Sequence, residues 1–132
     1  MYYTERAAEK GPKNDSRSRN LQYRSAQRAA VNIHKTDESY EMMVFAPGRI
    51  KEHFSVAVEA NELTVSYRPP EGFPRPDWVR REYSRGGFTR SFHLDEIIDA
   101  GKISAKYEDG VLNIHLPILE EKKTLKTSIQ VD

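Results

Sequence analysis

Short segments in which apolar and polar residues alternate restrict the fold of this chain more than any other feature. They begin at Val31 and continue to Leu116, with Gly, Pro, Asn or Asp residues between them. Alternation with a period of two places apolar side chains on one face of a β-strand and polar side chains on the other. Short strands separated by turn signals roughly every 8 to 12 residues are typical of an antiparallel sandwich. The sequence therefore predicts an all-β protein with an immunoglobulin-like antiparallel β-sandwich.

The strands can be placed from the same pattern. Tyr40 to Ala46 is apolar on both faces after Glu41, which favours a central strand. Asp109-Gly110 predicts a tight hairpin turn between the last two strands. We expect strands at Val31 to Ile33, Tyr40 to Ala46, Phe54 to Val58, Leu63 to Tyr67, Phe88 to Leu94, Ile103 to Tyr107 and Leu112 to Leu116.

Length and composition predict one domain between two polar ends. The chain has 132 residues, enough for a single core. Residues 1–30 are predicted to be a disordered basic N-terminal arm, with seven basic and three acidic side chains. Residues 31–117 are predicted to form the sandwich, and 118–132 a C-terminal tail.

Overall charge and residue usage argue against several partners. Lys and Arg number 21 against 20 Asp and Glu, so no strong field steers the chain onto nucleic acid or anionic lipid. Cysteine is absent, which fits a reducing compartment. No apolar run approaches the roughly 20 residues that span a bilayer, and no signal peptide is recognisable. We therefore expect a cytoplasmic protein with neither a membrane span nor nucleic acid as a partner.

Residues that could serve catalysis or bind a cofactor are present, but not at the spacing such sites need. Ser91, His93 and Asp95 share one face of a strand, but residues two apart on a strand lie about 6.6 to 6.8 Å apart at Cα, too far for a nucleophile and its base. The four histidines have no metal-ligand spacing, and the glycines form no nucleotide-binding loop. The chain is predicted to be no enzyme and to bind no metal or cofactor.

A proline-rich stretch precedes a charged segment in the middle of the chain. Residues 68–77 hold four of the seven prolines and predict an extended loop. Residues 78–83 follow it as a short, highly charged strand, a composition expected where a sheet edge is exposed or offered to another chain.

Two further features indicate contacts beyond an ordinary core. Arg90 shares a strand face with Phe88 and Phe92, so its guanidinium is expected to find carboxylates or to reach another subunit. The terminal Ile129-Gln130-Val131 places two β-branched side chains on one face. It is either the last strand of its own domain or a peptide added to another subunit.

These segments resemble the α-crystallin domain of the small heat-shock proteins. Residues 105–117 (AKYEDGVLNIHLP) resemble the signature A-x-x-x-N-G-V-L followed by a strand that ends in proline, with Asp109 in place of asparagine. Residues 88–94 (FTRSFHL) are similar to F-x-R-x-F-x-L, although Asp95 stands where proline normally follows. Ala46-Pro47-Gly48 is similar to the family's P-G turn, and residues 129–131 to its C-terminal I-x-I/V anchor.

The resemblance implies an ATP-independent holdase chaperone that binds partly unfolded client proteins and assembles from strand-exchanged dimers. The expected self-assembly is a dimer or a higher oligomer. The resemblance implies no cofactor. The implied dimer interface consists of Trp78, Val79, Arg80, Arg81, Glu82, Tyr83, Arg90, Val31 and Ile33. The implied groove for tails and clients consists of Phe54, Val56, Val58, Ile103 and Ala105. The implied C-terminal anchor consists of Ile129 and Val131.

Two other classes of function stay open at this point. A co-chaperone adaptor of the p23 or CS type shares the sandwich but works beside another chaperone. A nucleic-acid-binding protein would use the basic arm, where clustered arginines release counterions from phosphates. The tail anchor and the long loop favour the holdase.

Overall fold

Two antiparallel sheets account for most of the described part of the chain, which comprises residues 29–72, 75–123 and 128–132 of a computed structural model. Almost all of the predicted N-terminal arm, residues 1–28, lies outside these ranges. Within them there is no α-helix, and 3₁₀ turns cover residues 51–53, 100–102 and 120–122. The strands are β1 (Ala30–Lys35), β2 (Ser39–Phe45), β3 (Phe54–Glu59), β4 (Glu62–Tyr67), β5 (Phe88–His93), β6 (Ser104–Glu108) and β7 (Val111–Pro117).

The strand order confirms the predicted sandwich. One sheet has the order β1-β2-β7-β6 and the other the order β3-β4-β5, with every described pair antiparallel. Strand β2 lies between β1 and β7, so the central position predicted from its two apolar faces is confirmed. Strands β1 and β6 border one sheet, and β3 and β5 border the other.

The core lies between the sheets and follows from the alternation. Leu63 and Val65 of β4 point inward and are fully buried. On the other sheet Val44, Ile114 and Leu116 are buried to the same extent. Full burial of each such side chain contributes roughly 1.5 to 3 kcal/mol to folding, so these central strands hold the two sheets together.

Both tight hairpins use left-handed backbone conformations. Ala60 and Asn61 join β3 to β4 with φ angles of 49° and 62°. Asp109 and Gly110 join β6 to β7 with φ angles of 53° and 78°, which confirms the predicted turn. Two consecutive positive φ angles match the right-handed twist of the flanking strands.

The packed part of the domain extends beyond the range expected from the sequence. Ala29, before the predicted start, is 1% exposed, and Ile118, after the predicted end, is 4% exposed. Ile118 pairs with Ile98, which is also buried. Pro117 does end strand β7, but the next side chain still fills the core.

Candidate functional site

Strands β3 and β6 meet at one side of the sandwich and leave a groove between two sheet edges. The rings of Phe54 on β3 and Tyr107 on β6 have centroids 4.8 Å apart, which places these edge strands side by side. Val56 and Val58 lie opposite the buried Val65 and Leu63, so they face inward. Both are nevertheless only half-buried, because no described strand covers them on the outer side. We call this region the edge groove.

Strand β6 supplies the other wall of the edge groove. Ala105 lies opposite the buried Ile114, which makes it an inward-facing residue. It is exposed all the same, and Ile103, two positions earlier, is half-buried and packs against the core. Ala105 is thus a small exposed residue between two larger half-buried ones, Ile103 and Tyr107. All five residues predicted for the groove therefore lie on its two walls, together with Tyr107, which the sequence argument left out.

Strand β1 forms the outer edge of the four-stranded sheet. Val31 and Ile33 lie opposite Val44 and Met42 of β2 and are half-buried against the core. Among the described strands β1 pairs only with β2, so its other edge has backbone groups available to a further strand.

Arg90 on β5 reaches across to the start of β1. Its Nη1 donates a hydrogen bond to the carbonyl oxygen of Ala29 at 2.8 Å. Its guanidinium carbon lies 5.5 Å from the centroid of the Phe92 ring. This contact with a backbone carbonyl of the same chain was not foreseen from the sequence. The expected contact of Arg90 with carboxylates or another subunit stays a prediction.

Residues 78–83 form no strand within their own chain. Trp78 is 53% exposed, and the side chain of Val79 is fully exposed. Arg81 donates to the hydroxyl of Ser84 at 2.7 Å and lies over the Trp78 ring at 5.5 Å. The strand predicted here is therefore absent from the fold of one chain, and its pairing with a second chain stays a prediction.

Arg49 is the residue of this region that sequence reasoning missed. It follows the Pro47-Gly48 turn after β2 and is buried, with 7% exposure. Its Nη1 donates to the Tyr83 hydroxyl at 2.6 Å and its Nη2 to the carbonyl of Gly86 at 3.1 Å. These partners lie 34 and 37 residues further along the chain, so no local pattern indicates them.

The end of the tail makes no strand with its own domain. Ile129 is 83% exposed and Val131 is 91% exposed, and residues 128–132 have no described pairing. At the base of the tail, Lys123 donates to the Glu120 carboxylate at 2.8 Å. This hydrogen bond lowers the pKa of Glu120 and raises the pKa of Lys123. Among the described residues, 129–131 therefore do not form a last strand of their own domain.

The polar clusters considered for catalysis have structural partners. Ser91 shares a hydrogen bond with Thr64 on the neighbouring strand at 3.3 Å. Asp95 accepts from the amide of Ile97 at 3.2 Å in the turn after β5. His115 contacts Glu41 at 2.5 Å on the adjacent strand. Within the described ranges no three His, Cys, Asp or Glu side chains are arranged to hold a metal ion.

The sandwich, the edge groove and the terminal tail can be compared with known proteins. The model of the Hsp20/alpha crystallin family matches residues 32–132, which includes every strand but the first residues of β1. The chain belongs to this family. The Hsp20/alpha crystallin match confirms the resemblance seen in residues 105–117 and 88–94.

Relatives in the family are similar over the same region. The 17.6 kDa class I heat shock protein 3 of Arabidopsis thaliana is 38% identical over 106 residues, covering 78% of this chain and 68% of the relative. The 18 kDa antigen 1 of Mycobacterium avium is 35% identical over 83 residues, covering 63% of this chain and 56% of the relative. The chain thus spans little more than half the length of the mycobacterial relative.

A solved structure has the same fold. The small heat-shock protein from Xylella fastidiosa, which has a distinct high order structure, is 26% identical with a TM-score of 0.63. The match covers 79% of this chain and 95% of that one. In the described part of this family member, no helix is long and apolar enough to cross a membrane.

Proposed function

We propose that this chain is an ATP-independent holding chaperone that binds partly unfolded proteins and prevents their aggregation. The observation that carries the proposal is the edge groove, where inward-facing apolar side chains stay half exposed between two sheet edges. An unfolding protein exposes apolar side chains and unpaired backbone groups together. An open sheet edge beside an apolar groove can take up both. Membership of the family supports the same role.

The proposal is tested by suppression of aggregation without ATP. Citrate synthase is heated alone and with equimolar chain, and light scattering follows its aggregation. We expect strong suppression that ATP does not change. If the chain fails to suppress scattering, the holdase proposal is overturned. If it suppresses only beside a second chaperone, the adaptor function of the p23 or CS type replaces it.

The role of the edge groove can be tested with matched variants. Val56→Thr combined with Val58→Thr keeps the side-chain shape but adds hydroxyl groups to the groove, which weakens apolar contacts with a client. Ala57→Ser adds a hydroxyl on the exposed opposite face of the same strand. We expect the double variant to lose several-fold in suppression and the control to keep it. Equal activity of the two variants would place client binding elsewhere.

The assembly that we propose begins with a strand-exchanged dimer. Residues 78–83 of one subunit would pair with β1 of another, beside Val31 and Ile33, with Arg90 at the same edge. Three observations support this pairing: β1 borders its sheet, residues 78–83 pair with no described strand, and Trp78 and Val79 are exposed. Pairing would satisfy the backbone groups of both segments and remove apolar surface from water.

Replacement of residues 78–82 by Gly and Ser residues of the same number tests the dimer. The loop keeps its length and Tyr83, so the domain is expected to stay folded. We expect a folded monomer by analytical ultracentrifugation where the unaltered chain is a dimer or larger. A dimer of unchanged affinity would rule out strand exchange through this segment.

The tail completes the proposed assembly. Ile129 and Val131 are exposed on a segment that pairs with no described strand, and the edge groove has the small, exposed Ala105 between half-buried apolar side chains. We propose that the tail of one dimer occupies the edge groove of another and competes with clients for it.

A further inference from the structure

The long loop between β4 and β5 is hydrogen-bonded to the turn after β2 through residues 83–87, at its C-terminal end. Arg49 of that turn is buried and donates to the Tyr83 hydroxyl at 2.6 Å, to the Gly86 carbonyl at 3.1 Å and to the Ser84 carbonyl at 3.4 Å. One guanidinium therefore donates hydrogen bonds to three residues at this end of the loop. A charged donor in a buried setting makes stronger hydrogen bonds than a neutral one.

Aromatic rings enclose the same guanidinium. Its central carbon lies 5.2 Å from the Phe88 ring, 5.4 Å from the Tyr67 ring and 5.8 Å from the Tyr83 ring. Tyr67 ends β4 and Phe88 begins β5, so the rings come from both ends of the loop. Cation–π attraction within about 6 Å of a ring centroid stabilises such a cation when water is excluded.

Tyr83 closes the arrangement on the other side. Its hydroxyl donates to the carbonyl of Pro47 at 2.9 Å while accepting from Arg49. Gly48 between them has a φ of +74°, and a Cβ there would lie 2.8 Å from Cδ of Arg85. The turn after β2 therefore packs closely against residues 83–87 at Gly48, where both the backbone angle and the lack of space favour glycine.

We propose that Arg49 and Tyr83 form a clasp that sets the direction in which residues 78–82 leave the domain, and so sets the affinity of the dimer. This inference rests on the strand-exchanged dimer proposed above. Tyr83 directly follows the pairing segment, so the clasp restricts the segment before a partner arrives. A binding segment that is already oriented loses less conformational entropy on association.

Tyr83→Phe tests the clasp with the smallest change. It removes both hydrogen bonds of the hydroxyl and keeps the ring. We expect the dimer dissociation constant from sedimentation equilibrium to rise about tenfold, which corresponds roughly to the entropy of ordering the backbone of one more residue on association. Arg49→Lys, which keeps the charge but loses the fork of donors, should do the same. Combining the two substitutions should raise the dissociation constant by less than the product of the two single increases, because both remove the same hydrogen bond.

Thr64→Val is the matched control. The Thr64 hydroxyl shares a hydrogen bond with Ser91 at 3.3 Å, so it joins β4 to β5 and not the loop to the domain. We expect Thr64→Val to lower the melting temperature while leaving the dimer dissociation constant unchanged. If Tyr83→Phe leaves the constant unchanged, or if both variants change it equally, the clasp has no positioning role.

Hydrogen exchange separates this inference from the dimer proposal. In the variant with residues 78–82 replaced, Tyr83→Phe should still speed amide exchange at residues 84–87. If the replacement of residues 78–82 leaves the dimer intact, the strand-exchanged dimer is ruled out, whatever the amide exchange rates are. If it abolishes the dimer but Tyr83→Phe changes neither the exchange rates nor the affinity of the full chain, only the clasp fails.

Discussion

Arg90 Nη1 lies 2.8 Å from the carbonyl oxygen of Ala29, and this hydrogen bond joins the edge of one sheet to the start of the other. Strand β5 borders the three-stranded sheet, while Ala29 directly precedes β1 of the four-stranded sheet. The bond therefore closes the side of the sandwich opposite the edge groove. The same side carries the edge strand to which we assign the dimer.

Arg90→Ala should destabilise the sandwich by about 2 to 4 kcal/mol, because it removes a charged hydrogen bond and a cation–π contact with Phe92. Urea unfolding followed by circular dichroism measures the loss. Arg90→Lys can still reach the carbonyl but lacks the planar group, so about half of the loss is expected. Arg68→Ala, at an exposed arginine, should cost little. An unfolding curve of Arg90→Ala that matches the unaltered chain would contradict a structural role.

Tyr40→Phe should leave the stability unchanged or raise it by up to about 1 kcal/mol. The Tyr40 side chain is 2% exposed, and its hydroxyl has no hydrogen-bond partner among the described residues. Removing a buried unsatisfied hydroxyl removes a desolvation penalty. Tyr107→Phe is the comparison, because its hydroxyl is bonded at 2.7 Å, and it should lose about 1 kcal/mol. A loss at Tyr40 as large as that at Tyr107 would mean that the Tyr40 hydroxyl is paired.

Gly110→Ala should destabilise by about 2 to 4 kcal/mol for two separate reasons. Its φ of +78° strains any residue with a Cβ, and that Cβ would lie 3.0 Å from Cβ of Pro47 and 3.1 Å from its Cα. Gly72 has a similar φ of +75° but no atom of the described residues within 4 Å of such a Cβ, so Gly72→Ala measures the strain alone. Thermal unfolding of the two variants gives the difference, and equal losses would exclude a steric contribution from Pro47.

The strands could be predicted because their signal is local. Each strand needs only its own alternation, and the turn at Asp109-Gly110 needs only two residues. The central position of β2 followed from Tyr40 to Ala46 being apolar on both faces. The five groove residues came from the family resemblance, and their role in binding stays a prediction.

The rest could not be predicted because it depends on long-range contacts. Arg49 reads as a surface residue after a turn, and only the fold brings Tyr83 and Gly86 to it. Ile118 follows a strand-ending proline, and only its pairing with Ile98 makes it part of the core. The strand expected at residues 78–83 has no partner among the described strands, and its pairing with a second chain stays a prediction.

The tail gives the last prediction, and it follows from a magnitude. Burial of Ile129 and Val131 yields roughly 3 to 6 kcal/mol before the entropy of ordering and association is subtracted. A single tail should therefore bind weakly. We expect many tails bound at once in a closed assembly to hold it together through their high effective concentration, and single tails to release the edge groove to clients.

Ile129→Ala combined with Val131→Ala should leave the sandwich and its dimer folded and dissociate any larger species. Gel filtration with light scattering measures the size, and circular dichroism the fold. Gln130→Ala changes the exposed residue between the two and is expected to keep the assembly. If the unaltered chain is larger than a dimer and the double variant elutes with it, the tail is not the anchor between dimers. The half-exposed side chains of β3 and β6 would then be left to clients alone.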